Sequence, residues 1–291
     1  MSSPVGRVGV AAVAANHQVH GFNAVIGAWV AFAAPGLTNL DRVAAAGDVG
    51  IVAVAGNRQL LGFSAVTGAW SAHAAPGLTN SDQVAAGGSV GVVAAAGNRQ
   101  VHGFRASTGV WVTQGAPGLT NADKVAASVN VAIVAVAANH QVWGFSALTG
   151  VWTPAPAPGL TNADQVAAGN NVGVVAIAAN HEVLAYRAST GVWVPLAAPG
   201  LTSATKVAAE GDIAIVGLSA NHQVLGFSAT TGAWATAPAP GFTNTDQVLA
   251  GDDTGLVTVV ANHELLAFRS TSGVWAAHAA PGLTSADKVA V

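Results

Sequence analysis

Seven tryptophans, Trp29, Trp70, Trp111, Trp152, Trp193, Trp234 and Trp275, recur at a constant interval of 41 residues, without an insertion or deletion between them. Each closes the same short pattern: an aromatic residue, four others, Gly, one residue, then Trp, as from Phe63 to Trp70 or from Tyr186 to Trp193. A Pro-Gly-Leu/Phe-Thr segment follows, as at residues 76–79. A unit this short cannot bury its own apolar face, so neighbouring units must cover one another. A period near 40 suits either paired helices or a four-stranded blade. Turn signals decide between them. Each unit carries a polar pair such as Gly47-Asp48, an Asn-His or Asn-Arg pair such as Asn57-Arg58, a Thr/Ser-Gly pair such as Thr67-Gly68, and Pro-Gly as at Pro76-Gly77. In the first unit Ile26-Gly27 stands at the third of these places. Helices do not fit between such closely spaced breakers, whereas strands of five or six residues do.

The strands of one unit are expected at residues 43–46, 49–55, 59–65 and 70–74. The first two are almost wholly Val, Ala, Ile and Gly without clean alternation, the pattern of strands covered on both faces. The first should lie nearest the axis, where small side chains fit. The chain therefore reads as all-β: a seven-bladed β-propeller of four-stranded blades, one domain over residues 1–291. Seven units of 41 make 287 and leave four residues over. Lys288-Val289-Ala290 repeats the strand pattern of Lys206-Val207-Ala208, whereas Met1-Ser2-Ser3-Pro4 does not. Residues 288–291 are thus expected to supply the innermost strand of the first blade and close the ring, leaving no free sheet edge. A second period of two units lies on top. Arg105, Arg187 and Arg269 alternate with Ser64, Ser146 and Ser228, and Asn23 is the odd member.

Composition removes several function classes. The chain is 52% apolar, yet its longest apolar stretches, such as residues 131–138, fall well short of the roughly 18 residues a membrane span needs. The opening residues lack the basic-then-apolar form of a secretion signal. A net charge of −3 with scattered Lys and Arg does not make the basic patch that nucleic acid requires. With no cysteine, neither disulfides nor thiolate chemistry are available.

The segment Gly62-Phe63-Ser64-Ala65-Val66-Thr67-Gly68-Ala69-Trp70 resembles the quinoprotein-type propeller repeat, in which a short strand ends in an Asp-x-x-Thr-Gly hairpin before a Trp. The Trp here comes sooner after Gly, and Ser, Arg or Asn replaces the Asp. The cofactor and acidic residues of those enzymes have no counterpart, so the resemblance implies the fold and not the activity. In organisation the chain is similar to symmetric microbial propeller lectins, which repeat one shallow sugar site between blades. Fold alone does not fix function.

Chemistry can sit where the turn between the second and third strands meets the connection to the next blade. Those turns carry Asn16-His17, Asn57-Arg58, Asn98-Arg99, Asn139-His140, Asn180-His181, Asn221-His222 and Asn262-His263. The connections end in Asp41, Asp82, Asp123, Asp164, Asp246 and Asp287, with Thr205 the exception. Two readings stay open. In one, Asn adopts the left-handed backbone of a hairpin, and the Asp pairs with the His or Arg to pin two loops; Asp41 then approaches Arg58, Asp123 approaches His140, and Asp287 approaches His17. In the other, His or Arg sits where Gly would be easier because it touches ligand. The Trp ring is expected to pack between blades, with sugar stacking the alternative. His20, His73, His102 and His278, which the repeat does not share, show no ligand-like spacing, so no metal is expected. No Gly-x-Ser-x-Gly context marks a nucleophile. The expectation is a non-enzymatic, cofactor-free multivalent binding protein, with carbohydrate or another small polar ligand at several equivalent Asn-His/Arg turns. The alternative is a protein-interaction scaffold, or an engineered symmetric propeller without ligand.

Overall fold

A computed structural model describes residues 7–287 and 289–291. The first sheet comprises β1 (Val8–Val13), β2 (Gln18–Asn23) and β3 (Ala28–Ala33). The second comprises β4 (Arg42–Ala46), β5 (Val49–Val54), β6 (Gln59–Ser64) and β7 (Ala69–Ala74), paired antiparallel in that order. Five more four-stranded meanders follow: β8–β11 within 83–115, β12–β15 within 124–156, β16–β19 within 165–197, β20–β23 within 206–238 and β24–β27 within 248–279. These sheets are the blades of a seven-bladed β-propeller. The strand limits agree with the sequence expectation to within one residue at most ends, because turn chemistry marks both ends of every strand.

Each second strand is rich in β-branched residues, which suit a pleated surface, and β5, β9, β13, β17 and β21 are buried along their whole length. The innermost strands depart from expectation. β8, β12 and β16 are only half-buried, because each is an edge strand with hydrogen-bonded sheet on one side only.

Blades lock together through the third strand. A Cβ on Gly62 would lie 2.6 Å from the Phe104 ring, and one on Gly144 would lie 2.5 Å from the Tyr186 ring. Absence of a side chain there lets the next blade's aromatic seat fully, worth about 1.5–3 kcal/mol per buried ring. Glycine holds this position in five blades and alanine in two, Ala185 and Ala267. The Trp then joins the same interface. Trp152 packs on Phe145 with centroids 5.1 Å apart and donates Nε1–H to Val112 O of the preceding blade at 3.0 Å. Trp70, Trp111, Trp193, Trp234 and Trp275 make the equivalent bond. The expected inter-blade packing of the Trp ring is what the structure has.

Polar links run in the same direction. Turn amides donate to the next blade, as Ser89 N–H does to Val129 O at 2.7 Å and Asn130 N–H to Asn170 O at 2.8 Å. The two-unit alternation also acts here. Ser64 and Ser146 donate Oγ–H to Ala106 O and Ala188 O at 2.6 and 2.7 Å, while Arg105 and Arg187 reach Leu148 O and Thr230 O at 2.8 and 2.9 Å. Asn23 behaves as the serines do, donating to Ala65 O at 2.8 Å.

The C-terminus follows blade 7 along the place where the next innermost strand belongs. Gln247 Nε2 donates to Asp287 O at 2.6 Å, as Gln83 does to Asn121 O at 3.1 Å, and Val291 lies against Gly251. Lys288, which opens the expected closing strand, lies outside the described residues, as do residues 1–6. Among the described residues the first sheet has three strands, and Trp29 is 60% exposed.

Candidate functional site

On one face, each turn between second and third strands is built from four residues at the same repeat positions: Ala, Ser or Val, then Ala or Gly, then Asn, then His or Arg. In four blades these begin a 3-10 turn, such as Ala137–Asn139, and the residue after Asn is left-handed: φ is 53° at His140 and 56° at Arg58. The left-handed residue is thus the His or Arg in all seven blades, and not the Asn that sequence reasoning placed there. The 3-10 turn displaces the expected hairpin by one residue. A non-glycine side chain in this region costs on the order of 1 kcal/mol.

The imidazoles hold the neighbouring connection. Nδ1 of His17, His140, His181, His222 and His263 lies 3.1, 3.2, 3.0, 3.1 and 3.1 Å from the carbonyl oxygen of Leu37, Leu160, Leu201, Phe242 and Leu283. A carbonyl only accepts, so Nδ1 carries the proton, and in the neutral ring Nε2 is left as a bare acceptor. All five histidines, with Arg58 and Arg99, are exposed. The guanidinium groups of Arg58 and Arg99 have no hydrogen-bond partner among the described residues.

The Asn side chains face the strand. Asn57, Asn98 and Asn139 donate Nδ2–H to the Gln two residues on, at 2.9, 2.7 and 3.0 Å. Asn16 and Asn221 do the same, Asn180 and Asn262 bind Glu182 and Glu264, and Asn221 also donates to Pro199 O.

The expected Asp–His and Asp–Arg pairs do not form. The single ion pair among the described residues is Arg7–Asp48, at 3.7 Å. Asp41 reaches the Arg58 turn by a different atom: its Oδ1 accepts Ala55 N–H at 2.9 Å, and its Oδ2 accepts Thr38 N–H at 2.6 Å. Asp123 likewise accepts from Ala137 and Thr120. Asp287 accepts from Thr284 in its own loop and is exposed. The loops meet where strand order put them, but backbone amides take the carboxylate because the His ring is already committed to a carbonyl.

A second cluster was missed from sequence. His73, on β7, and His102, on β10 of the next blade, meet at Thr113: His73 Nε2 and His102 Nδ1 lie 2.8 and 2.9 Å from its Oγ1. The signal available was His102, which stands where four blades carry Leu, facing a fourth-strand position that varies from blade to blade. His102 is fully buried, its Nε2 has no partner, and desolvation with the nearby His73 brings its pKa down to about 4. Burial lowers His73 too.

No helix among the described residues is long and apolar enough to cross a membrane. No protein family and no curated protein matches the sequence. Among solved structures the chain is similar to the computationally designed Ika8 protein (12% identity, TM-score 0.40, covering 94% of this chain and 84% of that one). It is also similar to apo AztD from Citrobacter koseri (9%, 0.41, 95% and 86%) and to BamB from Moraxella catarrhalis (17%, 0.35, 94% and 81%). The fold rests on the strand pairing above and not on these likenesses.

Proposed function

We propose that this propeller is a non-enzymatic multivalent binding protein whose ligand is carbohydrate, met by the ring of turns carrying His17, Arg58, Arg99, His140, His181, His222 and His263. One observation carries the reading: an exposed His or Arg occupies a left-handed position in every blade, where glycine would cost less. Five of them turn a bare imidazole nitrogen outward in one fixed orientation. Sugar hydroxyls can donate to that nitrogen and accept from the two guanidinium groups. Such a surface is sparing in charge, which suits a neutral polyhydroxyl ligand better than a phosphate or nucleic acid.

Six of the seven repeat Trp rings are spent between blades, bonded to the preceding blade, so a single contact is weak. Repetition on a rigid ring raises avidity by roughly 10²–10⁴-fold when the ligand is itself multivalent. A glycan array followed by calorimetry tests the reading. Binding of a glycan with more than one site per chain, weakened stepwise as the turn His and Arg are replaced by Gly, is the expected result. A saturable 1:1 complex, or an array without a hit, overturns it in favour of an enzyme or a protein scaffold.

A further inference from the structure

Four histidines depart from the repeat. The third strand carries Leu at Leu61, Leu184, Leu225 and Leu266, but His at His20 and His102. The fourth-strand position varies, with Phe32, Gln114, Ala155, Leu196 and Ala237, and carries His at His73 and His278. At blades 2 and 3 the departures coincide in space. The His73 and His102 rings stand 5.2 Å apart at 66°, Trp111 stacks on His73 at 5.8 Å, and both imidazoles address the exposed Thr113 hydroxyl.

That hydroxyl donates to one ring and accepts the N–H of the other, which holds the two ring nitrogens toward one point. A divalent ion bound tetrahedrally about 2.0–2.1 Å from each nitrogen would set the ring centroids roughly 5 Å apart, which is the separation already present. We propose that His73 and His102 are the two protein ligands of a transition-metal site, open to water beside Thr113, for an imidazole-preferring divalent ion such as Zn²⁺ or Cu²⁺. Water fills the remaining positions, since no group of three His, Cys, Asp or Glu side chains converges among the described residues.

The repeat places a second histidine pair on the first and last blades. From His73 to His102 is a step of 29 residues; the same step from His278, on a circuit of 287, arrives at His20. His278 lies on β27 and His20 on β2, the same two strand positions as His73 and His102. Ala31 replaces Thr113 there, and Trp29 replaces Trp111. This second copy rests on the closed ring and exists only when the last blade meets the first.

Titration of the full chain with ZnCl₂ by calorimetry, and with CuCl₂ by electron paramagnetic resonance, tests the proposal. Two ions per chain are expected, each Cu²⁺ showing hyperfine coupling to two nitrogens. His102→Leu should remove one ion and His20→Leu the other. Both changes install the residue that other blades use, and Leu225 already faces Thr236 in the sixth blade, so the variants should fold. Loss of one ion with His102→Leu and no response to His20→Leu keeps the blade 2–3 site and overturns its copy at the seam. No binding, or binding that survives His73→Ala combined with His102→Leu, overturns the proposal.

Discussion

Asp164 binds Ala178 across the junction of two loops, its Oδ1 accepting the alanine backbone N–H at 2.9 Å while its Oδ2 takes Thr161 N–H at 2.7 Å. The side chain is 2% exposed, so neither amide would find water in its absence. Asp164→Ala should therefore destabilise the fold by about 3 kcal/mol, at about 1–3 kcal/mol per stranded donor. Calorimetric unfolding reads the loss; a change under 1 kcal/mol would mean the loops relax to bond elsewhere.

Thr205 is the natural deletion of one arm of this device. Its Oγ1 accepts Thr202 N–H at 3.0 Å, and no second oxygen is present to reach the turn at Ser219. Thr205→Asp should supply that arm and raise stability by about 1 kcal/mol. A lower melting temperature in the variant would show that the carboxylate's desolvation outweighs its bonds.

The left-handed positions separate structural from functional side chains. His181 offsets its backbone strain with a 3.0 Å bond to Leu201 O, whereas Arg58 has no bond to lose. His181→Gly should come out less stable than Arg58→Gly by about 1 kcal/mol, the net worth of one hydrogen bond. Equal effects in chemical denaturation would remove the structural role assigned to the imidazole.

Acid should act through His102. With a folded pKa of about 4 against an unfolded value near 6.5, the unfolded chain binds the extra proton in that window. The contribution is complete above pH 6.5 and is lost as pH falls through the folded value, at a cost of about 3 kcal/mol between pH 7 and pH 4. His73, the titratable neighbour in the cluster, shifts in the same direction. The stability difference between wild type and His102→Leu should therefore change with pH across that window. A pH-independent difference would refute the assignment.

If residues 288–291 supply the first blade's fourth strand, as the repeat implies, removing them should lower the melting temperature by several degrees. A truncated chain that melts within a degree of the full one would show that the terminal segment contributes no pairing.

The blade was legible because its information is local. Turn residues such as Pro76-Gly77 mark the strand ends, and the constant 41-residue spacing fixes the count. Which loops meet was legible too, since strand order alone places Asp41 beside the turn at Asn57. Which atoms meet was not: the turn puts its left-handed residue at Arg58 and not at Asn57, and Ala55 N–H takes the carboxylate. The His73–His102 contact depends on the register between blades. That register comes from rings seating on glycines such as Gly62, and no hairpin within a blade encodes it.

The Ser/Arg alternation has a further consequence for the molecule's parity. An odd ring cannot alternate perfectly, so one junction must join two like members. Because Asn23 bonds forward as a serine does, that defect falls between blades 1 and 2, where the polypeptide is continuous. In a closed ring the seam from Arg269 to Asn23 would be of the regular kind, matching Arg105 to Ser146 and Arg187 to Ser228. The mismatch sits where a covalent chain enforces adjacency, which leaves for the join between the chain's ends the pairing that Arg105 and Arg187 already make within the chain.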